Sequence, residues 1–310
     1  MFLGMRVAAA CFNSKFRLAP CWDRRPRPSP AVPHGSLSAA SLGTTHESPT
    51  TVKRVNSLND NQTRAADALW EHYQRGGELS EELFEGLDFN DGLAIQAEIR
   101  RRRLQDGAVQ VGWKVGLTSD RARRRVGIDD RPFGHLMQKF DSGVSLLASS
   151  VNGATIEPEM CFTIGEEISG PDVNPESVPS RIEKVSAGYE LNERRALVGG
   201  NLAMLVADNL TNWAIVEGSG VAPDEISDID ETEIVQYCNG EERFRCVHRE
   251  EVDNPFVSIA RLAATLYRFN MGLDVGQKVI TGAYTRYPVA SGESWVAEYS
   301  GIGRVETSYQ

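Results

Sequence analysis

The tripeptide Glu157-Pro158-Glu159 sets two carboxylates two positions apart. In an extended chain successive side chains alternate between faces, so Glu157 and Glu159 share one face and Pro158 takes the other. Two like charges so placed call for a cation between them. No histidine lies nearby, so the donor set suits an oxygen-seeking divalent ion, Mg2+ or Mn2+, better than zinc. Glu190, 31 residues further on, is the candidate third carboxylate. Upstream, Lys114 stands in the run Val111-Gly112-Trp113-Lys114-Val115-Gly116-Leu117-Thr118-Ser119. Period-two alternation turns Val111, Trp113, Val115 and Leu117 to one face. It leaves Lys114 between Gly112 and Gly116 on the other, with open space that suits a substrate. A lysine beside a cation can orient an anionic substrate or move protons. Taken singly, each feature has a plainer reading: acidic residues on a solvated edge strand, where proline belongs, and a lysine on the wet face of a half-buried strand.

The elements that must carry these residues are legible in outline. Ala65, Ala68, Leu69 and Tyr73 recur at helical spacing after Asn59, and Gly76-Gly77 stops the pattern. A second helix is predicted from about Asp91 to Gln105, its last turn carrying Arg100 to Arg103 as a solvated basic end favoured by the helix dipole. Beyond Gly107 the pattern turns to strands: Val109 to Leu117, a short arginine-rich helix around Arg121 to Val126, then repeated extended segments divided by glycine-marked turns. Asn239-Gly240 marks a hairpin. A helix from Asn254 to Phe269 is signalled by an asparagine cap followed by proline at the first helical position, and strands return at Lys278 to Ala283 and Trp295 to Tyr299. A short helical front and a strand-rich body make this an α+β chain. Its expected divisions are an extension at 1–56, a helical region at 57–108 and a catalytic β domain at 109–310.

Composition narrows the partners. The 310 residues carry a formal net charge of -10, yet residues 1–50 hold six basic and two acidic side chains, leaving the remainder near -14. That is a poor surface for nucleic acid. The basic, Pro- and Ser-rich start reads either as a disordered extension or as an organellar transit peptide, which would make the protein mitochondrial. Otherwise a soluble, cytoplasmic protein is expected, with no membrane association. The five cysteines lack CxxC spacing and are odd in number, which argues for a reducing compartment. Cys238, Cys246 and His248 are read as packing residues around the hairpin, not as metal ligands.

Together, the order of several motifs resembles the 2-oxopent-4-enoate hydratase and 4-oxalocrotonate decarboxylase branch of the fumarylacetoacetate hydrolase superfamily. The residues that carry it are Gly112 to Ser119, Val126-Gly127-Ile128-Asp129 with Phe133-Gly134, and Ile156-Glu157-Pro158-Glu159. Glu190, Val206-Ala207-Asp208-Asn209, Val279-Ile280-Thr281-Gly282-Ala283 and Gly301-Ile302-Gly303 follow. The resemblance implies a mixed β-sandwich roll, with Mg2+ or Mn2+ held by Glu157, Glu159 and Glu190. It implies Lys114 as the active-site lysine and Asp208 as a residue orienting a ligand or Lys114. Gly116, Ser119, Thr281 and Gly282 would then contact a small 2-oxo acid or its 2-hydroxy-dienoate enol. A homo-oligomer is expected, and association with a related hydratase or decarboxylase would fit.

Three positions depart from the branch's pattern. Pro132 stands where hydratases carry an acidic residue before Phe-Gly, and proline transfers no protons; the acid/base is then either absent or supplied by a displaced neighbour such as Asp129 or Asp130. Leu210-Thr211-Asn212-Trp213 replaces small residues, and Asp253-Asn254-Pro255 replaces Gly-His-Pro. Glu98-Ile99-Arg100-Arg101-Arg102 looks more like the decarboxylase helix. Hydration, the more common activity of the family the chain resembles, is still the expected one, with decarboxylation, which Pro132 favours, as the alternative and a catalytically degenerate partner subunit as a further one.

Overall fold

A computed structural model describes residues 57–76, 79–195 and 200–310; the extension expected at 1–56 lies outside the described residues. In chain order the elements are α1 (Asp60–Arg75), α2 (Phe89–Gln105), β1 (Gly112–Val115), α3 (Asp120–Val126), β2 (Phe133–Leu136), β3 (Lys139–Asp141), β4 (Val144–Leu146), β5 (Thr155–Ile164) and β6 (Ile182–Asn192). They continue with α4 (Leu202–Ala207), β7 (Asn212–Val221), β8 (Glu233–Cys238), β9 (Glu241–Val247), α5 (His248–Glu251), α6 (Pro255–Tyr267), β10 (Lys278–Ile280), β11 (Tyr287–Pro288), β12 (Ser294–Tyr299) and β13 (Gly303–Tyr309).

The helical front forms because its ends are capped. Asn59 and Gln62 exchange side-chain to backbone bonds at the start of α1, and Asp88 and Asp91 do the same at α2, each satisfying donors that would otherwise lack partners. The inner faces of the two helices bury Ala65, Ala66, Leu69, Ile95 and Ile99 together with Met204 and Ala207 of α4. Truncating Leu69 to Ala there would cost about 3 kcal/mol. The basic end of α2 is less solvated than its sequence suggests. Arg100 stacks over the Trp113 ring at 4.9 Å, and Arg103 lies over Tyr73 at 5.6 Å, because a guanidinium is planar and weakly hydrated enough to pack on aromatic faces.

Two mixed sheets follow. The larger runs β2-β1-β10-β5-β6-β7-β3, with β11 also paired to β5; the smaller runs β4-β13-β12-β8-β9. Parallel pairing of β1 with β10, β3 with β7 and β4 with β13 interrupts an otherwise antiparallel pattern, which gives the mixed, curled α+β architecture that was expected. The strand expected over Val109 to Leu117 is confined to Gly112–Val115, since Leu117 turns left-handed at φ 52°. Asn239 and Gly240, both at positive φ, make the β8–β9 turn. Asn254 caps α6 with Pro255 at its first position, as its sequence demands.

Alternation divides the larger sheet chemically. One face sends Trp113, Val115, Ile156, Met160, Phe162, Val185, Tyr189 and Val216 into the main core, where they meet Trp295, Tyr299 and Val305 of the smaller sheet. The opposite face carries a row set by register: Glu159 beside Gly188, Cys161 beside Ser186, and Ile280 beside Cys161 on one side and Lys114 on the other. Leu136, Cys161, Ile215 and Ile280 form a separate apolar cluster in the middle of that face. On one side of the cluster lie Glu157, Glu159, Glu190 and Lys114. Glu217 lies on the other, meeting Lys278 and Lys184 at 2.9 Å and Lys139 at 3.5 Å. Among the described residues no helix is long and apolar enough to cross a membrane.

Candidate active site

Register brings the three glutamates together. Glu157 is paired directly with Glu190 across β5 and β6, while Glu159 follows two residues along on the same face. Their nearest carboxylate oxygens lie within 4.8 Å of one another, and all three residues are buried. Pro158 does not make β5 an exposed edge. Its strand pairs with β6 throughout, and on the other side Pro158 faces the interval between the stretches taken by β10 and β11, where Tyr284 N–H reaches its carbonyl at 3.3 Å.

Each carboxylate has a distinct set of partners. Glu190 accepts from the Lys114 ammonium and from Asn212 Nδ2 at 2.8 Å. Glu157 accepts from Asn192 Nδ2 at 2.8 Å and from the Arg286 guanidinium. Glu159 accepts the Gly282 N–H at 2.7 Å. Burial pushes the Glu159 carboxyl well above the ordinary range, and the charge of Glu190 adds to it. Glu190 is likewise raised by burial, with Lys114 opposing. Burial acts upward on Glu157 too, but the Arg286 guanidinium beside it holds it below the ordinary value. Three buried carboxylates against two cations leave one negative charge in excess. Removing such a charge from water is costly without a further partner.

The triad floors a cavity of about 310 Å3, lined also by Lys114, Gly116, Thr118, Ser119, Leu205, Leu210, Glu251 and Gly282. Lys114 is not the lysine of a wet strand face: it is 4% exposed and points at Glu190. The open space expected beside it at Gly112 and Gly116 is filled, however. The Lys278 carbonyl packs against Gly112, and Leu210 Cδ1 lies 2.8 Å from where a Gly116 side chain would begin. Room for the lysine comes instead from Gly134 on β2, where a Cβ would sit 2.5 Å from Lys114 Cγ. Gly282 has φ 127°, and a side chain there would strike Thr118 Oγ1, so only glycine lets its amide reach Glu159.

Other expected residues fall at varied distances from this centre. Ser119 lines the cavity while its hydroxyl caps α3 by accepting from Ala122 N–H at 3.2 Å. Thr281 is buried behind Gly282 and is not part of the cavity wall. Asp208 pairs with Arg195 Nε at 2.9 Å, not with Lys114 or a glutamate. The cause is backbone geometry: Asn209, Leu210 and Thr211 are all left-handed, a costly sequence of non-glycine residues that swings Leu210 and Thr211 into the cavity and leaves Asp208 behind. Asp129 and Asp130 are absent from the wall. Cys238, Cys246 and His248 do not form a cluster of potential metal ligands with one another or with acidic neighbours; His248 Nδ1 instead meets Tyr284 OH at 2.7 Å.

Arg286, Asn192, Asn212 and Glu251 escaped the sequence reading. Asn192 was recoverable in part, because it shares the alternating face of Glu190 on β6. Arg286 and Glu251 arrive from loops and a short helix with no periodicity to announce them.

No protein-family model matches the chain. Curated relatives nonetheless span most of it. The 2-keto-4-pentenoate hydratase of Paraburkholderia xenovorans is 24% identical over 253 residues, covering 79% of this chain and 94% of the relative. The 4-oxalocrotonate decarboxylase of Pseudomonas putida is 28% identical over 228 residues, covering 72% and 86%. Among solved structures, the 4-oxalocrotonate decarboxylase of Pseudomonas putida G7 superposes with a TM-score of 0.75 at 24% identity, over 83% of this chain and all of that one. That enzyme was captured with calcium and acetate and with magnesium and adipate. The resemblance carried by the motifs and the expected fold are both borne out.

Proposed function

We propose that this protein is a Mg2+- or Mn2+-dependent lyase that adds water to a small unsaturated 2-oxo acid, formed from its 2-hydroxy-dienoate enol. The observation that carries the reading is the buried, charge-unbalanced triad of Glu157, Glu159 and Glu190 beneath a cavity sized for a small acid. The donor set is all carboxylate oxygen, which fits a hard divalent cation. Held there, such an ion would supply a Lewis acid for the 2-oxo group and for the charge of an enolate.

The chain's own residues do the rest. Lys114, anchored on Glu190, is placed to hold or deliver a proton at the substrate's 2-oxygen. Asn192 and Asn212 fix the orientations of Glu157 and Glu190. The Gly282 amide holds Glu159, while Gly116 and Ser119 form the wall along which the acid lies. Leu205, Leu210 and Val252 exclude water from its hydrocarbon portion. Thr281 supports the Gly282 turn, and Asp208 acts through Arg195 on the loop that carries Leu210. The substrate is small and water-soluble, and the reading is of a soluble intracellular enzyme working as a homo-oligomer. Its parts are a helical region at 57–108 and a catalytic domain at 109–310.

Decarboxylation is the second reading, favoured by Pro132 and by Arg286. The Arg286 side chain is 53% exposed at the cavity, so a distal carboxylate of a dioic acid would meet it. Loss of that carboxylate as CO2 would send the bonding pair through the conjugated chain to the 2-oxygen. The test follows dienol absorbance and CO2 release with 2-hydroxy-dienoates and 4-oxalocrotonate, with and without Mg2+. Metal-dependent dienol loss without CO2 is expected. Release of CO2 would transfer the assignment to the second reading, and no turnover with no bound metal would end both.

A further inference from the structure

The cavity holds one carboxylate that the triad does not use. Glu251 ends α5, lines the wall and has a side chain 19% exposed. Its segment is pinned into the mouth of the site: Asp253 N–H donates to the Thr118 carbonyl at 2.9 Å, and Val252 Cγ1 comes within 3.2 Å of where a Gly282 side chain would begin. Its ion-pair partner, Arg121, stands 3.7 Å away on α3 and is 76% exposed, a contact too loose to occupy the carboxylate. The other titratable groups on the wall already have close partners: Lys114 and Glu190 hold one another, Arg286 holds Glu157, and Glu159 accepts the Gly282 amide. Adding water to a conjugated acid needs a group that takes a proton from water and returns one to carbon. Pro132 cannot supply it, and Asp129 and Asp130 do not reach the cavity.

Resting on the hydratase reading of the site, we propose that Glu251 is its acid–base residue, supplied from α5 in place of the residue lost at Pro132. As carboxylate it removes a proton from water while the water oxygen bonds to C4. The C3=C4 π pair shifts toward the 2-oxo group to give an enolate. The carboxylic acid so formed returns its proton to C3, and the enolate pair closes the new C–H bond. Water is consumed, Glu251 is regenerated, and no other reagent is needed.

The full-length protein with Mg2+ tests this through E251Q and E251A, both made at a partly exposed position and checked by circular dichroism. Turnover should fall about 100-fold, with KM and calorimetric Mg2+ affinity within threefold of wild type. In D2O, exchange of the C3 hydrogens of 2-oxopentanoate, followed by NMR, should fall in parallel. E251D should restore part of both rates. E251Q turnover within threefold of wild type, or loss of turnover with C3 exchange intact, overturns the role of Glu251 alone. A wild-type protein that binds Mg2+ but turns over none of the dienoates overturns the hydratase reading and this proposal with it.

Discussion

Two carboxylate centres share one face of the larger sheet and are built to opposite ratios. At one, Glu157, Glu159 and Glu190 share Lys114 and Arg286; at the other, Glu217 meets Lys184, Lys278 and Lys139, the last of which it shares with Asp141. The first is short of positive charge and opens to a cavity. The second has positive charge to spare, and its lysines reach toward water with side chains 15% to 38% exposed. Burial pushes every one of these carboxyls upward, yet Glu217 is brought down to about 2 by hydrogen bonds from Lys278 and Lys184, whereas Glu159 and Glu190 remain raised. The difference separates a structural ion cluster, satisfied by the chain, from a site whose balance requires something from outside.

Breaking the first centre should have the largest effect. E159Q is expected to abolish Mg2+ binding by calorimetry and to lower turnover by about 10^3-fold or more, while its metal-free melting temperature stays level or rises because a buried charge is gone. Lys114→Met should reduce turnover about 100-fold and leave a folded protein by circular dichroism. Mg2+ at 100 times its Kd should stabilise wild type by about 2.7 kcal/mol in urea unfolding, and E159Q not at all. E217Q should show that same metal-induced gain, which would confirm that the two centres work independently; loss of the gain would mean they are coupled.

The smallest effect is on Glu217 itself. E217Q should cost about 1–2 kcal/mol at pH 7 with turnover unchanged. The sign with pH follows from a carboxyl lowered on folding. Its stabilisation is complete above the ordinary glutamate value near 4.3 and is lost as pH falls toward about 2. The urea midpoints of wild type and E217Q should therefore converge between pH 4 and pH 2. A constant gap across that range would show that the lysines do not depress Glu217.

How much of this could be read from the chain follows from the range of each signal. Caps and helical spacing are local, so Asn254 announced α6 and the recurrence of Ala65, Ala68, Leu69 and Tyr73 announced α1. Alternation is local too, and it put Glu157 and Glu159 on one face. Glu190 could be named as a candidate, but bringing it to them depends on the register of a ten-residue and an eleven-residue strand, which no local signal fixes. The glycines around Lys114 misled because a missing side chain reads the same whether it admits a ligand or a neighbouring backbone. Asp208 misled because the left-handed run after it has no glycine to betray it. Arg286, Asn212 and Glu251 reach the site from elements whose placement is wholly tertiary.

The left-handed turn at 209–211 bears on more than the cavity wall. The Asn209 side chain donates to the His135 carbonyl at 2.9 Å and accepts the His135 N–H at 2.7 Å, and Gln96 donates to the Phe133 carbonyl. Phe133 and His135 are the β2 residues whose backbone groups point away from β1, at the terminal strand of the sheet. Two side-chain amides thus take the place of a missing strand. A residue whose backbone shapes the pocket also guards a sheet margin against pairing with another chain, so losing Asn209 should expose the protein to edge-to-edge aggregation even where the pocket tolerates the change.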